Sequence, residues 1–257
     1  MDIKEIKIDQ LRVCIYPDRA TMGGEAAKEA AAAVKALLEK KDEVNIIFAA
    51  APSQNEFLAA IRAAEGIDWS RVNAFHMDEY VGLPIGAPAS FTGFLNDAVF
   101  EKLPFKAVYH INGGAADPEA ECARYAALLK EHPVDMVFMG VGENGHIAFN
   151  DPPVADFNDP KVIKVVELDD ICRNQQVHDG CFPTFDDVPA HAFTLTCPTL
   201  LSAAQLFCMV PGPTKAAAIR SMLLDDITTA CPATSLRNHA NATLYVDADS
   251  AKDYLEA

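Results

Sequence analysis

Residues 134–151 read VDMVFMGVGENGHIAFND, and this stretch carries most of the information about the fold. Its first six residues form a short, nearly continuous apolar run, which is typical of a strand buried on both faces of a parallel sheet. Three glycines then interrupt a loop that carries His146 between an amide and a carboxylate. Ligands of open α/β sheets bind beyond the carboxyl ends of the strands, so this histidine is a candidate acid/base group.

A second apolar run is also followed by a loop that carries titratable residues. Residues 72–84 read VNAFHMDEYVGLP, so Asp78 and Glu79 follow the predicted strand directly, in a loop closed by glycine and proline. Such a loop can direct a carboxylate at a small substrate. Taken alone, Asp78 also fits a helix cap or a loop-stabilising residue.

The rest of the chain alternates between strand and helix patterns. Strands are predicted at 44–51, 108–111, 162–166, 206–210 and 242–246, and helices at 23–41, 54–64, 90–102, 118–130 and 214–224, with Ser53 as the cap of the second helix. This alternation favours a largely parallel sheet covered by helices on both faces. With no repeat and no long linker, we expect a single α/β domain over residues 1–257. The turn-rich segment 183–189 is expected to cap the site.

Composition narrows the function classes. Half of the 257 residues are hydrophobic, and the formal net charge of -16 argues against nucleic acid and anionic membrane surfaces as partners. No run of about eighteen apolar residues predicts a membrane span. The seven cysteines form no Cys-x-x-Cys pair, which suits reduced, buried thiols in a cytoplasmic protein. A homo-oligomer is compatible with the sequence.

Three segments together resemble the glucosamine-6-phosphate deaminase family, which is itself similar to the 6-phosphogluconolactonases. They are MDEYVGLP at 77–84, GENGHIAFN at 142–150 and VPGPTKA at 210–216. The first segment favours the deaminases over the lactonases. The resemblance implies a modified Rossmann-like, three-layer α/β/α fold. It also implies conversion of glucosamine 6-phosphate and water to fructose 6-phosphate and ammonia, with no cofactor.

The resemblance also implies catalytic roles for individual residues. Asp78 would be the base that moves a proton between carbons 2 and 1 of the open-chain sugar. His146 would open the sugar ring, oriented by Asn144 and Asp151. Glu79 would support the loop, contact the substrate or tune Asp78 through its charge.

The resemblance places the substrate phosphate at two loops. Lys215 opens a helix after a Gly-Pro-Thr turn, where backbone donors and an ammonium group suit an anion. Without the resemblance, Lys215 would be taken as a surface lysine. The family's glycine-rich phosphate loop corresponds here to AAAPSQN at 49–55, which contains no glycine. In this loop Ser53 can donate a hydroxyl and Gln54 a backbone amide.

The chain departs from the family at several positions. Asp151 stands where the family generally has glutamate, which leaves the sugar open between gluco and galacto. A family arginine that binds phosphate falls near Gln176, and Arg173, about one helical turn away, is the expected substitute. Glu143 and His146 have the spacing of a metal-binding pair, but the Asn-Gly between them disfavours a helix, so we expect no metal.

Two alternative functions stay open at this point. One is a lactonase on the same fold, in which His146 activates water against 6-phosphogluconolactone. The other is a catalytically inactive protein that binds a sugar phosphate without turning it over.

Overall fold

The computed structural model describes residues 4–257, so residues 1–3 of the expected domain lie outside the described part. Strands and helices alternate through most of this part. The strands are β1 (Lys4–Ile8), β2 (Leu11–Tyr16), β3 (Val44–Phe48), β4 (Val72–His76), β5 (Asp78–Tyr80), β6 (Ala107–Tyr109), β7 (Met136–Met139), β8 (Ile163–Glu167), β9 (His191–Leu195), β10 (Gln205–Val210) and β11 (Ala242–Asp247). The α-helices are α1 (Arg19–Leu38), α2 (Asn55–Ala63), α3 (Phe91–Leu95), α4 (Pro118–Glu131), α5 (Asp170–His178), α6 (Cys197–Leu201), α7 (Ala216–Leu224) and α8 (Lys252–Leu255).

An eight-stranded sheet forms the centre of the molecule, in the order β1-β2-β11-β10-β7-β3-β4-β6. Strand β1 pairs antiparallel with β2, and the other neighbouring strands pair in parallel. Every residue of β3, β4 and β7 is buried. The prediction of a largely parallel sheet with apolar central strands is therefore confirmed.

Helices cover both faces of this sheet, and β3 shows how the faces divide. Ile46 and Phe48 point into one half of the core, to which α1 and α2 contribute buried side chains. Ile47 points into the other half, which includes residues of α4 and α7. Successive side chains of a strand alternate between faces, so an apolar run fills both halves at once.

The first helix begins four residues earlier than the sequence suggests. Asp18 caps α1 by accepting a hydrogen bond from the Thr21 amide at 2.7 Å. Gly23 therefore lies inside the helix, where α2 approaches so closely that a Cβ on Gly23 would stand 2.6 Å from Glu56 Cβ. Gly23, at which the helix was predicted to begin, instead permits α1 and α2 to pack closely.

A second sheet, β5-β9-β8, is antiparallel and lies outside the main sheet. The sequence predicts β8 but gives no sign that it pairs antiparallel, and it misses β9 and α5. Segment 183–189 contains a short 3-10 turn, Phe185–Asp187. This small sheet matters for function because Asp78 is the first residue of β5.

Two further expectations concern the whole chain. Across residues 4–257, each helix is either too short or too polar to cross a membrane.

All seven cysteines are free thiols, and six of them are buried. Burial raises the pKa of the Cys197 thiol to about 11, which keeps it protonated and unreactive near neutral pH.

Candidate active site

Four neighbouring strands, β10, β7, β3 and β4, end at the same edge of the main sheet. The loops that follow them, joined by the end of α5, enclose one cavity. Its charged or titratable lining residues are Asp78, His146, Asp179 and Lys215. The structure thus brings together, from distant parts of the sequence, two groups suited to proton transfer and one cation.

Asp78 presents a buried carboxylate to this cavity. The residue is only 8% exposed, and among residues 4–257 its Oδ1 has no hydrogen-bond partner. Burial raises the pKa of Asp78 well above its usual range, and the nearby charge of Glu79 raises it further. A carboxylate in this state is a stronger proton acceptor than one exposed to water.

Glu79 faces away from the cavity and holds the start of α3. Its carboxylate accepts hydrogen bonds from the backbone amides of Tyr80, Phe91 and Thr92 at 2.9–3.0 Å. Burial raises the pKa of Glu79, although these three bonds oppose the shift. Glu79 does not line the cavity, so its geometry matches the loop-supporting role and not contact with a substrate.

His146, Asn144 and Asp151 form a connected triad. His146 Nδ1 lies 2.7 Å from Asn144 Oδ1 and 2.9 Å from Asp151 Oδ1. Asn144 Nδ2 donates to Asp151 Oδ1 at 2.9 Å, which fixes the orientation of the amide. Because both neighbours of Nδ1 are acceptors, Nδ1 carries a proton and donates it. The other nitrogen, Nε2, is then left to exchange protons with a ligand.

One glycine of the loop, Gly142, makes room for this histidine. A Cβ on Gly142 would lie 2.1–2.3 Å from Cε1, Nε2 and Nδ1 of the His146 ring. The turn that follows places Ala148 at φ +49°, a conformation uncommon for residues other than glycine. Strain of this kind concentrates at functional sites, and Ala148 lines the cavity.

Lys215 supplies a cation to the cavity lining. This lysine is 5% exposed, and burial lowers its pKa, while the charges of Asp179 and Glu143 oppose that shift. Ser53 lines the cavity as well. It lies within the 3-10 turn Pro52–Gln54, so its expected role as the cap of α2 is wrong.

Gln54 has its donors engaged elsewhere. Its side-chain Nε2 donates to Met209 O at 3.0 Å and to Ser53 Oγ at 3.2 Å. Its backbone amide donates to Ala51 O at 2.9 Å. Although Gln54 lines the cavity, the structure gives it the role of tying the glycine-free loop to β10, and leaves the Ser53 hydroxyl proton free for a ligand.

Comparisons with known proteins identify the family of this chain. The model of a family described as glucosamine-6-phosphate isomerases/6-phosphogluconolactonase matches residues 17–245. The chain belongs to this family. It is 36% identical over 209 residues to a glucosamine-6-phosphate deaminase of Listeria innocua serovar 6a, covering 81% of this chain and 87% of that protein. A deaminase of the same name from Bacillus thuringiensis (strain Al Hakam) is 40% identical over 184 residues, covering 72% and 68%.

Solved structures of the family superpose on this fold. A monomeric glucosamine-6-phosphate deaminase matches with a TM-score of 0.86 at 27% identity, covering 94% of this chain and 99% of that one. A 6-phosphogluconolactonase from Thermotoga maritima matches with a TM-score of 0.73 at 17% identity, covering 91% and 98%. The expected three-layer α/β/α fold is therefore confirmed, and at this low identity the lactonase supports the fold alone.

Asp151 replaces the glutamate typical of the family without losing contact with the histidine. The 2.9 Å distance from its Oδ1 to His146 Nδ1 is an ordinary hydrogen-bond length. Burial by itself raises the pKa of Asp151, but the charge and hydrogen bond of His146 outweigh burial and hold it below its usual value. The shorter side chain of Asp151 therefore still reaches His146.

His146, Asp151 and Cys172 also bring three metal-ligand atoms within 4.8 Å of one another. Two ligands of a tetrahedral zinc ion stand about 3.4 Å apart, by the usual zinc bond lengths. The distance of 2.9 Å between His146 Nδ1 and Asp151 Oδ1 is shorter than this. The geometry therefore fits a hydrogen-bonded triad better than a metal centre.

The structure does not support the expectation that Arg173 takes the place of the family's phosphate-binding arginine. Its guanidinium donates to Phe185 O at 3.0 Å and Val188 O at 2.9 Å, and lies 3.9 Å above the centre of the Phe185 ring. It does not line the cavity. Arg173 instead fastens segment 183–189 to α5.

Helix α5, which was not predicted from the sequence, also contributes to the cavity, because Gln175, Gln176 and Asp179 at its end line it. Gln176 Oε1 accepts from Tyr80 Oη at 2.7 Å, and Gln175 Oε1 accepts from the Glu143 amide at 2.9 Å. A signal was present, because the Asp169 cap and the buried positions 172, 175 and 176 have helical spacing. The polar character of these residues concealed it.

Proposed function

We propose that this protein converts glucosamine 6-phosphate and water to fructose 6-phosphate and ammonia. The observation that carries the proposal is the pairing, in one cavity, of two different proton-transfer groups. Asp78 offers a buried carboxylate with a raised pKa and no partner on Oδ1 among the described residues. His146 offers its Nε2, while Asn144 and Asp151 hold the ring through contacts with Nδ1.

The first step is ring opening at His146. Nε2 takes the proton of the anomeric hydroxyl, the bond between carbon 1 and the ring oxygen breaks, and the same nitrogen returns the proton to that oxygen. No net proton is consumed. The charge that forms transiently on the imidazole is stabilised by Asp151, whose Oδ1 contacts Nδ1 at 2.9 Å.

The second step is isomerisation at Asp78. The carboxylate removes the proton from carbon 2 while the carbonyl oxygen on carbon 1 gains a proton, which gives an enolamine. The carboxyl group then delivers its proton to carbon 1 as the amino nitrogen loses one, which balances the proton gained by the oxygen. The product is an imine at carbon 2. Addition of water to this imine and loss of the nitrogen as ammonia leave the ketone. A carboxylate free of ion pairs suits this work, because a bound cation would lower its basicity.

The phosphate of the substrate would bind to Lys215 and Ser53. Lys215 is buried at the end of the short turn before α7, and Ser53 lines the same cavity from the loop after β3. Asp179 also lines this region, and within residues 4–257 no arginine lines the cavity. We therefore expect a weaker phosphate contact than a site with several cations would give.

A panel of substrates tests this proposal. Glucosamine 6-phosphate, galactosamine 6-phosphate and unphosphorylated glucosamine are incubated with the protein, and ammonia is measured; 6-phosphogluconolactone is assayed in parallel for acid release. We expect ammonia from a phosphorylated amino sugar and no catalysed lactone hydrolysis. Lactone hydrolysis without ammonia would replace the deaminase with a lactonase. Tight binding without any product would identify a sugar-phosphate-binding protein.

We also propose that the chain forms a single domain that works in the cytoplasm. Both halves of the core share the strands of one sheet, which supports one folding unit. The seven free thiols support a reducing compartment. Thiol titration of the freshly purified protein, unfolded in denaturant so that the buried cysteines can react, should find all seven cysteines reduced.

A further inference from the structure

His76, the last residue of β4, has both ring nitrogens in hydrogen bonds although it lies outside the cavity lining. Its Nδ1 lies 2.8 Å from the backbone carbonyl oxygen of Asp78, and its Nε2 lies 2.8 Å from the backbone amide of Ile111. An amide can only donate, so Nε2 is the acceptor. The proton of the neutral ring is therefore on Nδ1, which donates to the Asp78 carbonyl.

The position of Asp78 in its sheet explains why this carbonyl needs a partner. The backbone amide of Leu195 donates to Met77 O at 2.8 Å, and that of Val81 donates to His191 O at 3.0 Å. The hydrogen-bonded pairs between this segment and β9 therefore fall at the odd-numbered residues from Met77 to Val81. Asp78, opposite Thr194, is consequently a non-hydrogen-bonded position. Its carbonyl points away from β9, at the edge of the small sheet. His76 supplies the bond that the sheet does not.

The imidazole is rigid and uncharged. It is fully buried, and the Tyr125 hydroxyl accepts from the His76 amide at 3.0 Å and donates to the His76 carbonyl at 2.8 Å. Burial, assisted by the nearby His110, lowers the pKa of His76 to about 3. The ring thus stays neutral at any pH at which the protein would work.

We propose that His76 is a positioning residue that holds the catalytic base Asp78 through its main chain. The inference rests on the proposed function of Asp78. A lysine or arginine in this place could also donate to the carbonyl, but its charge would lower the basicity of the carboxylate. A neutral donor fixes the backbone next to the base and leaves that basicity intact.

Two matched substitutions separate this role from a merely structural one. Asparagine at position 76 places its amide nitrogen near the Nδ1 position, so His76→Asn can keep the bond to Asp78 and loses the bond to Ile111. Glutamine reaches the Nε2 position, so His76→Gln keeps the second bond and loses the first. Each variant removes one buried hydrogen bond, so the two should lose similar amounts of unfolding free energy in urea.

Their kinetics should differ. In ammonia release from glucosamine 6-phosphate, we expect His76→Gln to lose about 10- to 100-fold in kcat with little change in KM, since small displacements of a reacting group have costs of this size. His76→Asn should stay within about threefold of the parent kcat. Equal losses in both variants, or full activity of His76→Gln, would overturn the proposal.

A second measurement keeps the proposal independent of the assigned reaction. Carbon-13 NMR follows the titration of the Asp78 carboxyl group, which should be altered in His76→Gln and unaltered in His76→Asn. If the parent releases no ammonia from any amino sugar, the proposed function fails while this titration still decides the role of His76. If neither variant folds, the nitrogen-15 shifts of His76 in the parent decide, and a proton on Nε2 overturns the proposal.

Discussion

Replacing Asp78 with asparagine should remove activity and at the same time stabilise the fold. Asparagine keeps the size of the side chain, but its amide cannot accept the proton from carbon 2. Loss of a general base typically lowers the rate by about 10²- to 10⁴-fold. The KM for glucosamine 6-phosphate should change little, because the phosphate contact at Lys215 is left intact.

The gain in stability follows from the pKa of Asp78. Burial, and then the charge of Glu79, raises the pKa in the folded state above its unfolded value. The folded protein therefore binds this proton more tightly than the unfolded chain, and the ionised carboxylate destabilises the fold above the folded-state pKa. Each pKa unit of difference between the folded and unfolded states corresponds to about 1.4 kcal/mol of unfolding free energy. The cost disappears as the pH falls below the unfolded value, where the carboxyl group is protonated in both states.

We expect Asp78→Asn to raise the free energy of unfolding at pH 7 by about 1–2 kcal/mol, within the range of single stabilising substitutions. For a chain of about this length, the melting temperature should rise by about 2–4 °C per kcal/mol. Urea unfolding at pH 7 and at a series of lower pH values measures the effect. The gain should shrink steadily as the pH is lowered towards the ordinary range of a carboxyl group.

The neighbouring Glu79 provides the control. Glu79→Gln is an equally small change, but the carboxylate of Glu79 accepts three backbone hydrogen bonds. An amide nitrogen cannot accept such a bond, so this variant should lose about 1–3 kcal/mol of stability. The reasoning is refuted if Asp78→Asn is less stable than the parent at pH 7, or if it produces ammonia at near the parental rate.

The remaining predictions concern the phosphate contact and the histidine triad. Lys215→Ala should raise KM for phosphorylated amino sugars more than it lowers kcat, because phosphate is remote from carbons 1 and 2; an unchanged KM would place the phosphate elsewhere. Gly142→Ala should displace the His146 ring and lower kcat by at least about 10-fold, since the new Cβ would overlap the imidazole, and a crystal structure of the variant should show the ring moved. Asp151→Glu inserts a methylene into a side-chain site that is 1% exposed, so it should cost about 1–3 kcal/mol in urea unfolding and also lower activity. An increase in ammonia release by Asp151→Glu would show instead that the loop has not adapted to the shorter side chain.

Much of the fold and part of the candidate site could be read from local sequence. The apolar run before Gly140 identifies a central strand, since a strand buried on both faces has no polar alternation. The triad is also local, because Asn144, His146 and Asp151 lie within one loop, and the His146 ring requires glycine at position 142 of that loop. Asp78 could be placed near them because parallel strands present their carboxyl ends at one edge.

Other features were decided only by contacts between distant segments. Glu79 and Arg173 looked suited to bind a substrate, yet one accepts hydrogen bonds from the first amides of α3 and the other anchors segment 183–189. The cavity residues of α5, and the carbonyl of Asp78 that turns from its sheet towards His76, have no local pattern that fixes them. Local sequence determines which segments are buried, because burial follows from apolar periodicity. The partners of a buried polar group depend on which donors and acceptors the packed chain brings within about 3 Å of it, and only the tertiary structure decides that.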